Sequence, residues 1–550
     1  MKKILAATVG SCVHVAGILN FLSIAEKEGF GTIFLGTAVS SETLKNEINL
    51  LKPDIVGLSY RLSPESAVSV FKEIKECFND LISGVKKEKI SFLLGTTKPV
   101  AEALKKSGIS DVFDAIFTGE ESIKEVEKYL ADKKPEIIKD KIPPQNLLKR
   151  INYKSPSPIL RHHFGRPDFE ETISGIKKIS ESRLIDVISL GPDQNTQEFF
   201  FHPEKMDEKQ NGAGGVPIRS ENDLKKLYHA SRTGNYPLMR CYSGTNDIIE
   251  FAEVLQKNIN NAWCAVPLFW YNELDNRSKR TLLDSIIENQ EVMKWHAKRN
   301  IPVEVNESHH WSLRYAPDSV AVAAAYIAAY NAKKMGVNTY ISQYMFNTPP
   351  ETSFKMDLAK MLAKIELIES LHDDNFITLR QSRTGLYSMS GDFNANKGQL
   401  ASSTMLQMQI NPVIVHVVAY CESEYAAKPE DIIESSEIVI KVIENCINGC
   451  PDMKKDKEVV LRKNQLIYDA NLIIRSIKEL DKEDKFEDPL ISPGILEKSI
   501  RFGILDAPHL KNINAACGKI KTHFHNGANL SVDESGNPVK EKNRLKDINK

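Results

Sequence analysis

The pattern of apolar and polar positions divides the chain into two successive series of strands and helices. In the first series the apolar run Ile4 to Val9 predicts a buried strand, because a strand covered on both faces reads as continuous rather than alternating hydrophobicity. The loop Gly10-Ser11-Cys12-Val13-His14 follows it, and helical spacing then runs from Ile18 to Gly29. Further strands are predicted at Thr32 to Leu35, Pro53 to Leu58, Ile90 to Leu94 and Ala115 to Thr118, with helices at Ser66 to Cys77 and Ser122 to Leu130. Strands separated by helices of this length predict an α/β domain with a doubly wound, Rossmann-like (flavodoxin-like) parallel sheet. Ligands of such sheets sit at the carboxyl ends of the strands, where His14 is displayed.

The second series is longer. Strand candidates fall at Leu184 to Leu190, Pro237 to Tyr242, Trp263 to Phe269, Ile301 to Asn306, Asn338 to Gln343, Phe376 to Arg380, Pro412 to Val418 and Phe502 to Leu505. Helical stretches lie between most of them. In Arg280 to His296, Leu282, Leu283, Ile286, Ile287 and Met293 form one apolar stripe at helical spacing, and Lys355 to Leu371 is similar. Eight strand–helix units predict a (β/α)8 TIM barrel with insertions. The expected boundaries are a first domain at 1–133, a lysine- and proline-rich linker at 134–160, a barrel at 161–510 and a C-terminal extension at 511–550. The charge-dense stretch from Asp452 to Asp488 reads as a solvated helical excursion. The polar residues from 519 onward read as a partly ordered surface extension.

Composition removes several function classes. Lys+Arg 72 against Asp+Glu 73 gives a formal charge of −1, so no global field draws the chain to nucleic acid or to an anionic membrane. No apolar run approaches the roughly 20 residues that span a bilayer. Ile4 to Val9 is too short for a signal-peptide core, so a cytoplasmic location is expected. The eight cysteines are scattered, as reduced thiols are. Cys446 and Cys450 lie one helical turn apart, but with no second pair they read as ordinary thiols rather than half a metal site.

Barrel active sites form at the carboxyl ends of the strands, which selects the candidate chemistry. Arg240 closes the second predicted strand, and Arg219 sits in the glycine-rich segment NGAGGVPIRS. Guanidinium groups there can hold a substrate carboxylate in a bidentate pair. Glu307, after the fourth predicted strand in VEVNESHHW, is a candidate for holding an ammonium or moving a proton. Tyr271 and Asn272 follow the third, and Asp193 to Gln197 form a polar loop after the first. The tandem pairs His162-His163 and His309-His310 argue against a metal site, because adjacent residues of a strand face opposite ways.

The segment Cys12-Val13-His14-Val15-Ala16-Gly17 resembles the cobalamin-binding motif Asp-x-His-x-x-Gly of corrinoid mutases and methionine synthases. With Gly10-Ser11, Ser40-Ser41 and Ser59, residues 1 to 130 are similar to the small subunit of glutamate mutase. That resemblance implies that His14 is the lower cobalt ligand, the one metal ligand expected. It places Cys12 where the family's aspartate backs the ligating ring. It implies that Gly17, the glycine of the motif, is among the cofactor-binding residues, and that Ser59 and Gly95 make room for the displaced nucleotide tail, with Gly95-Thr96 standing where the family has two glycines. Further along, RCYSGTND, FWYNELD, YAPDSVAVAAAYIAA and FGILDAPHLKNINAACGKIK resemble, in the same order, segments of the glutamate mutase large subunit.

The combined resemblance implies a fused adenosylcobalamin-dependent carbon-skeleton mutase that rearranges an amino acid or related carboxylate by radical chemistry. Arg240 and Arg219 would hold the substrate carboxylate, and Glu307 its amino group. In VIVHVVAYCESE, His416 replaces the family's lysine on the adenosyl ribose, and Tyr420 or Glu422 stands in for its glutamate. The expected partners are a small substrate and a second copy of the chain, with no nucleic acid and no membrane. Two alternatives stay open. One is a corrinoid-dependent methyltransferase with thiolate-bound zinc, for which Cys241 and Cys421 are the candidates. The other is a non-catalytic cobalamin-binding protein.

Overall fold

The computed structural model describes residues 2–79, 90–133, 142–242, 244–481 and 485–548. It divides into two compact units, Met1–Lys141 and Ile142–Lys550.

The first unit is built on five parallel strands: β1 (Lys3–Thr8), β2 (Gly31–Phe34), β3 (Ile55–Ser59), β4 (Ser91–Gly95) and β5 (Ala115–Phe117). Their spatial order is β2-β1-β3-β4-β5, the flavodoxin-like order. Strand β1 is covered on both faces, as its unbroken apolar run requires. Leu5, Ala7 and Val9 pack into one apolar cluster and Ile4 and Ala6 into another. The second cluster is closed by Ile18, Leu22, Ile24 and Ala25 of the helix Ala16–Lys27 and by Leu130 of the helix Ile123–Ala131. Serine caps set the helix starts: Ser40 and Ser63 accept N–H groups of Thr43 and Ser66, and Ser122 forms a capping box with Glu125.

The second unit is an eight-stranded parallel barrel. Its strands are β6 (Ile159–Phe164), β7 (Val187–Leu190), β8 (Leu238–Cys241), β9 (Cys264–Val266), β10 (Val303–Val305), β11 (Thr339–Phe346), β12 (Ile377–Thr384) and β13 (Ile414–His416). The hydrogen-bonded order is β8-β7-β6-β13-β12-β11-β10-β9, which leaves β8 and β9 to close the circle. Near that seam the Ala262 N–H donates to the Met239 carbonyl at 2.9 Å, and the Cys241 N–H to the Asn261 side-chain oxygen at 2.9 Å.

Two expectations about this unit are corrected. Phe502 to Leu505 is not a strand; it is a turn after the helix Pro493–Arg501. The missing strand is β6, ILRHHF, which lies across the expected linker boundary at 160. Each later strand therefore counts one higher around the barrel. Of the expected linker, 134–141 lie outside the described residues. Leu147–Lys154 is a helix whose Leu147 joins the apolar floor of the barrel, and whose buried Arg150 pairs with Asp186 at 3.3 Å.

Two other stretches are better packed than their composition suggested. Lys457–Lys478 is a helix of 22 residues whose Leu466, Ala470, Ile473 and Ile477 enter the main core, so only its other face is solvated. The C-terminal residues form a hairpin of β14 (Thr522–His525) and β15 (Ala528–Ser531) and a helix, Glu541–Ile548. Asn529 donates to the Tyr315 and Ala316 carbonyls and receives the Asp318 carboxylate on its N–H. Arg544 donates to the Gly503 and Ile504 carbonyls. No helix among the described residues is long and apolar enough to cross a membrane.

Candidate functional site

In the first unit the carboxyl edge of the sheet carries an exposed imidazole. β1 ends at Thr8, the chain turns at Gly10 with φ +63°, and His14 follows on the surface. Gly10 is fixed by space as well as by φ: a Cβ there would lie 2.9 Å from Val70. Cys12 is fully buried, with its Sγ 3.7 Å from His14 Nδ1 and 3.4 Å from the Arg61 N–H. Cys12 therefore stands behind the ring and leaves Nε2 on the outward side. That is the place of a second-sphere partner of a metal-binding histidine, filled by a weaker hydrogen-bonding group than carboxylate.

Beside this loop a cleft of about 320 Å³ runs between the helix Ala16–Lys27 and the ends of β3, β4 and β5. Gly17, Ser59 and Gly95 line it, together with Phe21, Thr96 and Phe117. A Cβ at Gly17 would meet nothing within 4 Å, and one at Gly95 only the Leu58 carbonyl at 3.9 Å. The space these glycines leave is thus not filled by the protein. Thr96 does not hold its hydroxyl loose there; it donates to the Tyr60 carbonyl at 2.6 Å.

In the barrel, side-chain alternation stacks three inward layers. The floor is apolar: Ile159, Val187, Leu238, Trp263, Ile341 and Ile414. The middle layer is polar and dry. Arg161, Arg240 and Glu304 are all 0% exposed. Glu304 lies 3.3 Å from Arg240 and 3.8 Å from Arg161, and it accepts the Trp263 indole N–H at 2.6 Å. Arg161 also donates to Ser189 at 2.7 Å and Gln381 at 2.8 Å. Burial and the neighbouring Arg240 hold the Arg161 guanidinium down at about 9. Burial also lowers Arg240 and is the largest single effect, but Glu304 and Tyr242 together outweigh it and hold that group above its usual value.

The upper layer holds His163, Tyr242, Arg383 and His416. His163 stacks on Tyr242 with ring centres 5.3 Å apart and meets His416 edge-on at 4.7 Å. Arg161 and Tyr242 both reach His163 Nε2, at 2.8 and 3.1 Å. His416 Nδ1 is buried without a partner among the described residues. The register places Arg383 beside His416. Arg383 is half-buried; its Nε donates to the Thr384 carbonyl, and among the described residues no carboxylate pairs with it. Burial first, then the surrounding guanidinium groups, push His163 and His416 well below the ordinary histidine value, so both are neutral at pH 7.

The remaining sequence candidates are placed differently. Arg219 spends both terminal nitrogens on Asp193 and also reaches Asn211, which pins the glycine-rich loop over the end of β7. Arg240 lies one layer beneath the mouth. Glu307 is buried, accepting the Leu268 and Phe269 N–H groups at 2.9 and 3.2 Å and the Trp311 indole at 2.7 Å. Burial pushes its carboxyl up to about 7 against those hydrogen bonds. Glu422 pairs with His162 at 3.1 Å and accepts the Ala419 N–H. Cys241 and Cys421 face the apolar shell outside the strands, and burial pushes each thiol up to about 12. Among the described residues no three His, Cys, Asp or Glu side chains converge as metal ligands.

Sequence reasoning missed Arg161, His163, Glu304 and Arg383. The alternation in ILRHHF carried the signal, since Ile159, Arg161 and His163 share one face, but the Pro-rich stretch before it drew the boundary too late. Arg383 was missed because β12 was ended at Arg380, which points outward and pairs with Glu369 at 2.7 Å.

No family model and no curated protein matches the chain. Among solved structures, the apo form of the cobalamin-dependent S-adenosylmethionine radical enzyme OxsB is matched at 13% identity. That match covers 88% of this chain and 68% of the other, with a TM-score of 0.18, which carries no argument about fold or activity.

Proposed function

We propose that this chain is an adenosylcobalamin-dependent carbon-skeleton mutase of the glutamate mutase kind, with His14 as lower cobalt ligand and a small carboxylate held in the barrel. The observation that supports it most is the Cys12–His14 pair beside the Gly95 cleft. An exposed imidazole is backed at Nδ1 by a buried group, next to a glycine-floored space that no side chain fills. Those residues fit a corrinoid whose nucleotide tail is displaced.

Adenosylcobalamin, when bound, supplies a cobalt–carbon bond that breaks homolytically and so opens unactivated C–H positions to reaction. The chain's own residues do the rest. Cys12 orients the imidazole. Arg383 receives a carboxylate at the barrel mouth. The Arg161–Glu304–Arg240 layer beneath excludes water and holds His163 by Nε2, so that the mouth keeps its shape through the reaction. Methyl transfer through thiolate-held zinc has less support, because Cys241 and Cys421 face the apolar shell.

The test is an ultraviolet–visible spectrum of the full-length protein after incubation with excess adenosylcobalamin and removal of free cofactor. A base-off, histidine-on spectrum that disappears in His14→Ala is the expected result. A colourless wild-type protein overturns the proposal.

A further inference from the structure

We infer that the chain pairs with a second copy of itself through the outer face of the helix Lys457–Lys478, the two helices running antiparallel about a two-fold axis at Tyr468. The inner face of this helix is already used: Val459, Leu466, Ala470, Ile473 and Ile477 are buried. The outer face carries apolar side chains that the rest of its unit leaves open. Leu461 is 69% exposed and Tyr468 54%, and half-buried Leu472 follows one turn on. At about 100° per residue, the positions spaced 4, 3, 4, 4, 3 and 4 apart from Lys457 to Glu479 form one stripe along the helix. Glu479 caps the helix with φ −69° and ψ −7°, so the helical period runs through it.

That spacing reads the same in both directions about Tyr468, and the symmetry selects the occupant. A two-fold contact sets residue i of one copy on residue j of the other, and j on i. Running antiparallel, the helices bring Tyr468 onto Tyr468 of the second copy and Asn464 onto Leu472. Leu461 meets the aliphatic stem of Arg475, and Lys457 meets Glu479. This last pair has opposite charges, and the axis makes it twice. Among the described residues neither Lys457 nor Glu479 has an ion-pair partner in its own chain. Each also stands at the helix end that its own dipole disfavours, the cation at the amino end and the anion at the carboxyl end. A partner helix running the other way compensates both. Glu458 and Lys478, whose signs suit the dipole, lie to the sides of the stripe, and Glu458 already pairs with Lys355 at 2.8 Å. A helix of 22 residues is about 33 Å long, so the contact is small beside the roughly 1,200–2,000 Å² of tight complexes, and the pairing belongs in the micromolar range.

Analytical ultracentrifugation of the full-length protein, from about 1 to about 100 µM, tests this and needs neither corrinoid nor substrate. A monomer–dimer equilibrium is expected. Tyr468→Glu sets two carboxylates on the axis and should weaken the dimer at least tenfold. Lys457→Glu and Glu479→Lys each turn both outer contacts into like-charged pairs, and each should weaken it at least threefold. An equimolar mixture of these two variants should regain the wild-type affinity, because every opposing pair between unlike copies then has opposite signs. A monomer over the whole range overturns the inference, as does a dimer that Tyr468→Glu leaves unchanged. A mixture that associates no better than its two components overturns it as well. The wild-type equilibrium and the mixture do not involve Tyr468→Glu, so a misfolded Tyr468→Glu leaves both tests standing.

Discussion

Glu304 is the one carboxylate between two fully buried guanidinium groups, and Glu304→Gln isolates its worth. Glutamine keeps the shape and an acceptor for the Trp263 indole, whose bond to Glu304 is 2.6 Å. It removes the charge 3.3 Å from Arg240 and 3.8 Å from Arg161. Removing one member of a buried ion pair costs about 3–5 kcal/mol, because the other is left uncompensated. The barrel unit has roughly 400 residues, and at ~2.1 cal/mol/K per residue its unfolding entropy is about 0.9 kcal/mol/K. The midpoint of its thermal transition should therefore fall by about 3–6 °C. All four tryptophans, Trp263, Trp270, Trp295 and Trp311, lie in this unit, so intrinsic fluorescence follows it without interference from the first. Glu304 holds the Arg161 value up, so in the variant that group lies below about 9 and sheds its proton first, and the deficit should shrink as the pH rises towards 9. The control is Glu171→Gln, where an exposed carboxylate faces Arg166; that pair is worth about 0–1 kcal/mol and its loss should move the midpoint by about 1 °C at most. If Glu304→Gln unfolds within 1 °C of wild type, the dry ionic layer described for this barrel is refuted.

Glu307 predicts a pH signature. Its folded value, about 7, lies above the usual 4.5, so the folded barrel holds the extra proton between those values and loses stability as pH rises through them. This group alone should contribute a decline of roughly 3 kcal/mol between pH 4.5 and 8; thermal midpoints of Glu307→Gln should be flatter over that range, and parallel curves would contradict the assignment. In the first unit, Gly95→Leu projects a side chain into the cleft, where the nearest protein atom to its Cβ is 3.9 Å away. Corrinoid retention after desalting should fall at least tenfold, while the circular dichroism melt stays within about 1 °C; unchanged retention would mean that the cleft is not the tail site.

Strands covered on both faces were the easiest part of the fold to see. Continuous apolar runs such as Ile4 to Val9 and the helical stripes beside them placed the flavodoxin-like sheet and seven of the eight barrel strands. Short barrel strands with polar interiors were harder. ILRHHF hides its period because one face carries arginine and histidine where an apolar residue would normally mark a core, and FGIL imitates a strand with residues that pack a turn. The site shows the same split. The loop carrying His14, and Gly17, Ser59 and Gly95, were legible because their chemistry is local in sequence. The barrel layer was not, since Glu304 and Arg161 come together only when β10 and β6 are bent into one circle. Arg219 looked free in sequence because nothing there announces that Asp193, 26 residues earlier, takes both its terminal nitrogens.

The clasp formed by Asn529 on Tyr315, Ala316 and Asp318 joins residues more than 200 positions apart in the chain. During synthesis, Asp318 must wait for the ribosome to add the 211 positions that separate it from Asn529 before this partner arrives. The sheet around β1 has every strand it needs long before that. Newborn chains should thus pass through a stage in which the first unit is mature and the barrel is still unlatched, and that stage is where chaperone capture or proteolytic loss would concentrate.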